Sequence, residues 1–200
     1  MQFRIGAPPD PNDFHPEADP RWVKLDEPTT EATMVNGTIL ATILSIPIWW
    51  VFPAAARPPG VSSDDWVVLN LEATAVGLGV VLVVHELIHA LFHPGAGTRR
   101  GSFLGFWPEF CAPYAVWTGA WSRERFMACL LAPCVIITSA LFLIQHTVPT
   151  WATLVIAFCH LQACGADLLG TLILLMRTPP RAQMRNKGWY TFWTDASPDG

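Results

Sequence analysis

Apolar positions gather into four long runs along the 200-residue chain, and polar positions collect in the segments between them. The runs are Met34 to Ala56, Trp66 to Phe92, Phe126 to Thr147 and Thr150 to Met176. Each reaches or exceeds the roughly 20 residues that a helix needs to cross a bilayer. The pattern predicts an all-α membrane protein, a bundle of about four transmembrane helices. The second and fourth runs extend to roughly 40 Å at about 1.5 Å per residue, so each must tilt, break or protrude. A single buried soluble core is the competing reading. Four separate runs of this length argue against it.

Composition and charge then divide the chain. Charged residues make up 14% and hydrophobic residues 52%, where a soluble domain carries roughly a quarter charged. Residues 1–33 are acidic and proline-rich, with Pro8, Pro9, Pro11, Pro16, Pro20 and Pro28 and no apolar core of a cleavable signal peptide. They read as a disordered arm, because so polar a segment has little surface to bury. The expected division is an arm over 1–33, a membrane domain over 34–177 and a tail over 178–200. The first run would act as the insertion signal.

Basic residues set the expected orientation. Arg4, Arg21 and Lys24 precede the first run, and Arg99, Arg100, Arg123 and Arg125 separate the second from the third. Arg177, Arg181, Arg185 and Lys187 follow the fourth, while the first connector holds only Arg57. The positive-inside rule places both termini and the middle connector in the cytoplasm of a multi-pass cell-membrane protein. The net charge of −4 and the scattered basic residues offer no nucleic-acid surface. Cys111, Cys129, Cys134, Cys159 and Cys164 contain no CxxC pair, so they read as small packing residues.

Within the second run stands "VVLVVHELIHALFHP", residues 80–94. His85-Glu86-Leu87-Ile88-His89 is HExxH. Residues four apart on a helix share a face, so His85 and His89 can bind one metal ion. Glu86 lies about 100° round the helix from His85, placed to take a proton from a water on that ion. Ionisable groups inside a span are costly and usually functional. One tolerated histidine would not explain two with a glutamate at this spacing. Zn²⁺ is the expected cofactor, although other first-row ions accept the same ligands.

Catalytic zinc normally takes three protein ligands. The strongest third candidate is Asp167 in "CHLQACGADLLG", the only acidic residue of the fourth run. It lies ten residues before Arg177, as His89 lies ten before Arg99, so the two share a depth. His93, Glu109 and Glu124 remain open, while Glu72 is about 21 Å from Glu86 along a helix and too distant. Gly165 and Gly170 would allow another helix to approach closely or the fourth helix to unwind.

With these residues the chain resembles the family of small membrane proteins called putative zincin peptidases, themselves similar to site-2 proteases. The resemblance rests on "VVHELIHALF", "LLAPCVIITSA" and "HLQACGADLL" and covers roughly residues 34–177. It implies zinc bound by His85, His89 and Asp167, Glu86 as catalytic base, and cleavage of a membrane-protein or peptide substrate within or near the bilayer. Site-2 proteases typically end an asparagine- and proline-rich segment in Leu-Asp-Gly. Here the corresponding residues are Ala166, Asp167 and Leu168, and His160 stands roughly where an asparagine is expected. His160 is the candidate for stabilising an oxyanion or for donating to Asp167 from behind.

The connector over 94–125 is rich in aromatics, including Trp107, Tyr114, Trp117 and Trp121. It reads as an interfacial anchor, or as a re-entrant hairpin that pairs with an extended substrate. A membrane zinc metallopeptidase is the leading functional reading. A non-catalytic membrane protein with a structural or regulatory metal is the alternative. A transporter is weaker, because four spans with no repeat offer little for alternating access. Reporter fusions after residue 30, near residue 110 and after residue 190 should all report cytoplasm, and one near residue 60 the opposite side. The wrong side at residue 110 would overturn the four-span arrangement.

Overall fold

The computed structural model describes residues 1–54 and 59–195, so Arg57 lies outside the described residues. It contains four helices long and apolar enough to cross a membrane. They are α1 (Thr30–Val51), α2 (Ser63–Phe92), α3 (Arg123–Thr147) and a fourth stretch divided into α4 (Trp151–Ala163) and α5 (Gly165–Arg177). Side-chain oxygens cap four of the starts, with Thr29 accepting from the Ala32 N–H ahead of α1. Ser62 accepts from the Asp65 N–H, Ser122 from that of Arg125 and Thr150 from that of Thr153. His93-Pro94 ends α2, since proline disfavours helical geometry in the residue before it. Along α2, Val67, Leu71, Val76, Val80 and Val83 are exposed, which suits a surface solvated by lipid.

The fourth run is broken rather than straight, and its break is packed. A Cβ on Gly37 would lie 2.6 Å from the carbonyl carbon of Gly165, so α1 and α5 touch backbone to backbone. Only glycine permits that approach, and it settles the position of the first turn of α5, where Asp167 sits. A core of Ile88, Ala132, Ile137, Leu141, Ile156 and Ala157 joins α2, α3 and α4. At one end, Gln145 Nε2 donates to the Pro53 carbonyl at 2.9 Å, and its Oε1 accepts from the Thr150 N–H at 3.2 Å.

The protein is not all-α. Its polar segments form two small sheets at the other end of the bundle. One contains β1 (Gln2–Ile5), β3 (Ser102–Trp107) and β4 (Ala112–Trp117), with β1 parallel to β3 and β4 at an edge. The other runs β2-β7-β6-β5, from β2 (Val23–Lys24), β7 (Tyr190–Thr194), β6 (Gln183–Lys187) and β5 (Trp121–Ser122). The β6–β7 connection is a two-residue turn whose first position is Gly188 at φ +57°, where such turns favour glycine.

Residues 1–33 differ from the disordered arm that their composition suggests. Their strands pair with residues about a hundred or more positions away: Phe3 opposite Leu104 and Val23 opposite Trp193. Phe14 and Leu25 are each only 3% exposed, and Phe14 meets Trp22 and Phe192 edge-on. Asp13 pairs with Arg185 at 2.7 Å, Glu17 with Lys187 at 3.0 Å and Asp26 with Arg177 at 3.1 Å. Burial raises the pKa of the Glu27 carboxyl even though it accepts the Thr191 N–H. The arm therefore folds into both sheets, β1 against β3 and β2 against β7 of the tail.

The α1–α5 contact can be tested directly. Gly165→Val should lower stability in detergent by roughly 1–3 kcal/mol through overpacking. Gly170→Ala, whose added Cβ would meet only Leu130 Cδ1 at 3.5 Å, should stay within about 0.5 kcal/mol of the parent. Equal melting of the Gly165→Val protein and the parent would refute the backbone contact.

Candidate metal centre

His85 and His89 occupy the last two turns of α2, and Asp167 the first turn of α5. His85 Nε2 lies 3.0 Å from His89 Nε2 and 3.2 Å from Asp167 Oδ2, and His89 Nε2 lies 3.4 Å from the same oxygen. A tetrahedral zinc with donors at roughly 2.0–2.1 Å separates those donors by roughly 3.3 Å. The three atoms therefore have the spacing of three corners of a zinc tetrahedron. Two imidazoles and a carboxylate also suit that ion chemically. Both histidines are buried, and the Asp167 side chain is 16% exposed.

The backs of both rings are engaged. His89 Nδ1 lies 2.9 Å from the Cys129 carbonyl oxygen on α3, and His85 Nδ1 lies 3.4 Å from His160 Nε2 on α4. His160 is itself buried, with Thr138 Oγ1 at 3.5 Å from its Nδ1 and Cys164 Sγ at 3.5 Å from its Nε2. His160, Cys164 and His85 form a second group of potential metal donors, within 4.8 Å of one another.

Glu86 lines the same cavity as His85, His89 and Asp167, a space of about 450 Å³. Its lining comes from all five helices, the β3–β4 hairpin and the β6–β7 turn, together with Pro8, Glu27 and Pro28 of the N-terminal segment. The Ala115 backbone N–H on edge strand β4 faces the Glu86 carboxylate.

The other ligand candidates lie elsewhere. His93 is fully buried, with Nδ1 2.7 Å from Ser102 Oγ, so it ties the end of α2 to β3. Burial, with the Arg125 guanidinium nearby, pulls its pKa down to about 4. Glu109 is exposed in the β3–β4 turn, and Glu124 accepts the Arg181 backbone N–H at 3.0 Å. Among the described residues none of the three belongs to a group of potential metal donors. Sequence reasoning missed the Cys129 carbonyl, the Ala115 N–H and the N-terminal residues that line the cavity. A backbone group carries no residue-type signal, although Pro133, four residues after Cys129, was a usable one.

Neither a curated protein nor a solved structure matches the chain. The profile of a family described as "Putative zincin peptidase" matches residues 78–183, a stretch that holds HExxH, the aromatic hairpin and Asp167. That stretch is more than half of the chain, and the chain belongs to this family.

Proposed function

We propose that the protein is a membrane-embedded zinc metallopeptidase that hydrolyses peptide bonds in or near the bilayer. The observation that carries this reading is the set of three donor atoms 3.0–3.4 Å apart, with Glu86 beside them in one cavity. His85, His89 and Asp167 are the proposed ligands. A zinc ion held there supplies Lewis acidity toward water and toward a carbonyl oxygen. Glu86 takes the proton of the attacking water and returns it to the leaving amine nitrogen. His89 lies three residues before the end of α2, about 4.5 Å of helix. The scissile bond therefore sits close to the cytoplasmic boundary of the span, given the orientation expected from the basic residues.

The substrate must be unwound to be cut, and β4 suggests how it is received. This strand ends its sheet, lines the cavity and turns the Ala115 N–H toward Glu86. An extended segment of a membrane protein or peptide could pair along this edge and bring its carbonyl to the metal. The cavity wall includes the apolar side chains of Leu82, Phe126 and Leu130, which suit the apolar side chains of a membrane-spanning substrate.

Ligation and catalysis separate by mutation. Asp167→Ala should lower the zinc content of purified protein as much as His89→Ala does, with Glu109→Ala and Glu124→Ala unchanged. Full zinc in the Asp167→Ala protein would remove it from the ligand set.

Glu86→Gln should keep its zinc and lose hydrolysis by roughly 10²–10⁴-fold, measured on a pool of single-span peptides in detergent. His85→Ala should lose both. Undiminished cleavage by zinc-loaded Glu86→Gln protein would exclude Glu86 as the base and overturn this mechanism.

A further inference from the structure

An imidazole that binds metal through Nε2 carries its proton on Nδ1, and inside an apolar bundle that proton needs a protein acceptor. For His89 the acceptor is the Cys129 carbonyl, at 2.9 Å. In an unbroken α-helix that oxygen would accept the backbone N–H four residues later. Position 133 is proline, which has no N–H and whose ring pushes against the carbonyl four residues back. Pro133 is the proline inside α3, and the carbonyl it releases is the one that faces His89.

His85 finds its acceptor on a different helix. Its Nδ1 faces His160 Nε2 at 3.4 Å, and His160 Nδ1 faces Thr138 Oγ1 at 3.5 Å. If His85 donates, His160 must accept through Nε2 and carry its own proton on Nδ1, which Thr138 receives. The direction of the chain follows from the metal end. His160 Nε2 is thereby committed to His85, not to an oxyanion and not to Asp167, the two roles that its sequence position suggests.

We infer that Pro133 and His160 are positioning residues. Each holds one ligand imidazole in the Nδ1–H tautomer with its Nε2 lone pair aimed at the metal, Pro133 by freeing the Cys129 carbonyl and His160 by accepting directly. The inference rests on the reading that His85 and His89 bind the metal. A second metal ion between His85, His160 and Cys164 is the competing use of the same atoms. It would require His85 to lose its Nδ1 proton while Nε2 is already engaged, so the hydrogen-bonded chain is the assigned state.

The test uses full-length protein in detergent, with metal affinity read by chelator competition and the melting of the metal-free protein read separately. His160→Ala should weaken zinc binding by roughly 10–100-fold. His160→Gln can only accept if its amide oxygen takes the place of Nε2, and it should recover most of that loss. Pro133→Ala restores an N–H that competes for the Cys129 carbonyl, so zinc affinity should fall several-fold. The same change removes a helix-interior proline, so the metal-free protein should melt no lower than the parent. Affinity and stability then move apart, which a purely structural role for Pro133 does not produce.

If His160→Ala and Pro133→Ala bind zinc like the parent while His85→Ala does not, the positioning roles fail and the ligand assignment stands. If His85→Ala keeps its zinc, the ligand assignment fails and the inference with it. A thiolate-to-metal charge-transfer band in the cobalt-loaded protein, lost in Cys164→Ser, would assign His160 and Cys164 to a metal and overturn the inference.

Discussion

In a helix surrounded by hydrocarbon no water completes a polar group's hydrogen bonds, so each imidazole or carboxylate must be satisfied by a neighbouring helix. That constraint organises the bundle. His89 on α2 reaches a carbonyl of α3, and His85 on α2 reaches His160 on α4. Asp167 on α5 approaches both imidazoles. The same rule acts at the ends of the helices. Buried Arg123 donates to Thr178 Oγ1 at 2.9 Å and to the Leu174 carbonyl at 3.3 Å, neutralising the end of α5. The polar side chains that make the site also choose which helices adjoin.

The close approach of α1 and α5 serves that arrangement. Asp167 meets His85 and His89 only if α5 begins at the right depth and turn. The Gly37–Gly165 contact leaves no slack along α1. Proline acts on the other side in the opposite sense, since Pro133 leaves a hydrogen bond unmade inside α3 and the freed carbonyl is used by His89. Small residues and a missing N–H, which look like weaknesses in a soluble helix, here place polar atoms.

The sheets close the cavity from the polar end. Three exposed ion pairs link the N-terminal segment to the C-terminal one, and such pairs contribute little each. Burial of Phe14 is worth more, about 1.5–3 kcal/mol for a fully buried large apolar side chain, with the paired backbones of β1–β3 and β2–β7 in addition. Because Pro8, Glu27 and Pro28 of the segment line the cavity, it forms part of the cavity rather than hanging from it.

Much of this was legible along the chain. The four apolar runs follow from the length and hydropathy that lipid demands, and HExxH follows from helical periodicity, which is local. Asp167 could be singled out because an acid in an apolar run is costly and its depth matches that of His89. What the chain alone left open depended on contacts between distant residues. The acidic, proline-rich start looks unable to fold because its strand partners lie in β3 and β7. The role of His160 depended on which of its neighbours faces each ring nitrogen, and only the packing of α2 against α4 decides that. Local periodicity determined the helices and the HExxH pair. Tertiary packing decided the acceptors, the cavity and the sheets, because hydrogen bonds between helices and strands join atoms that no sequence window contains.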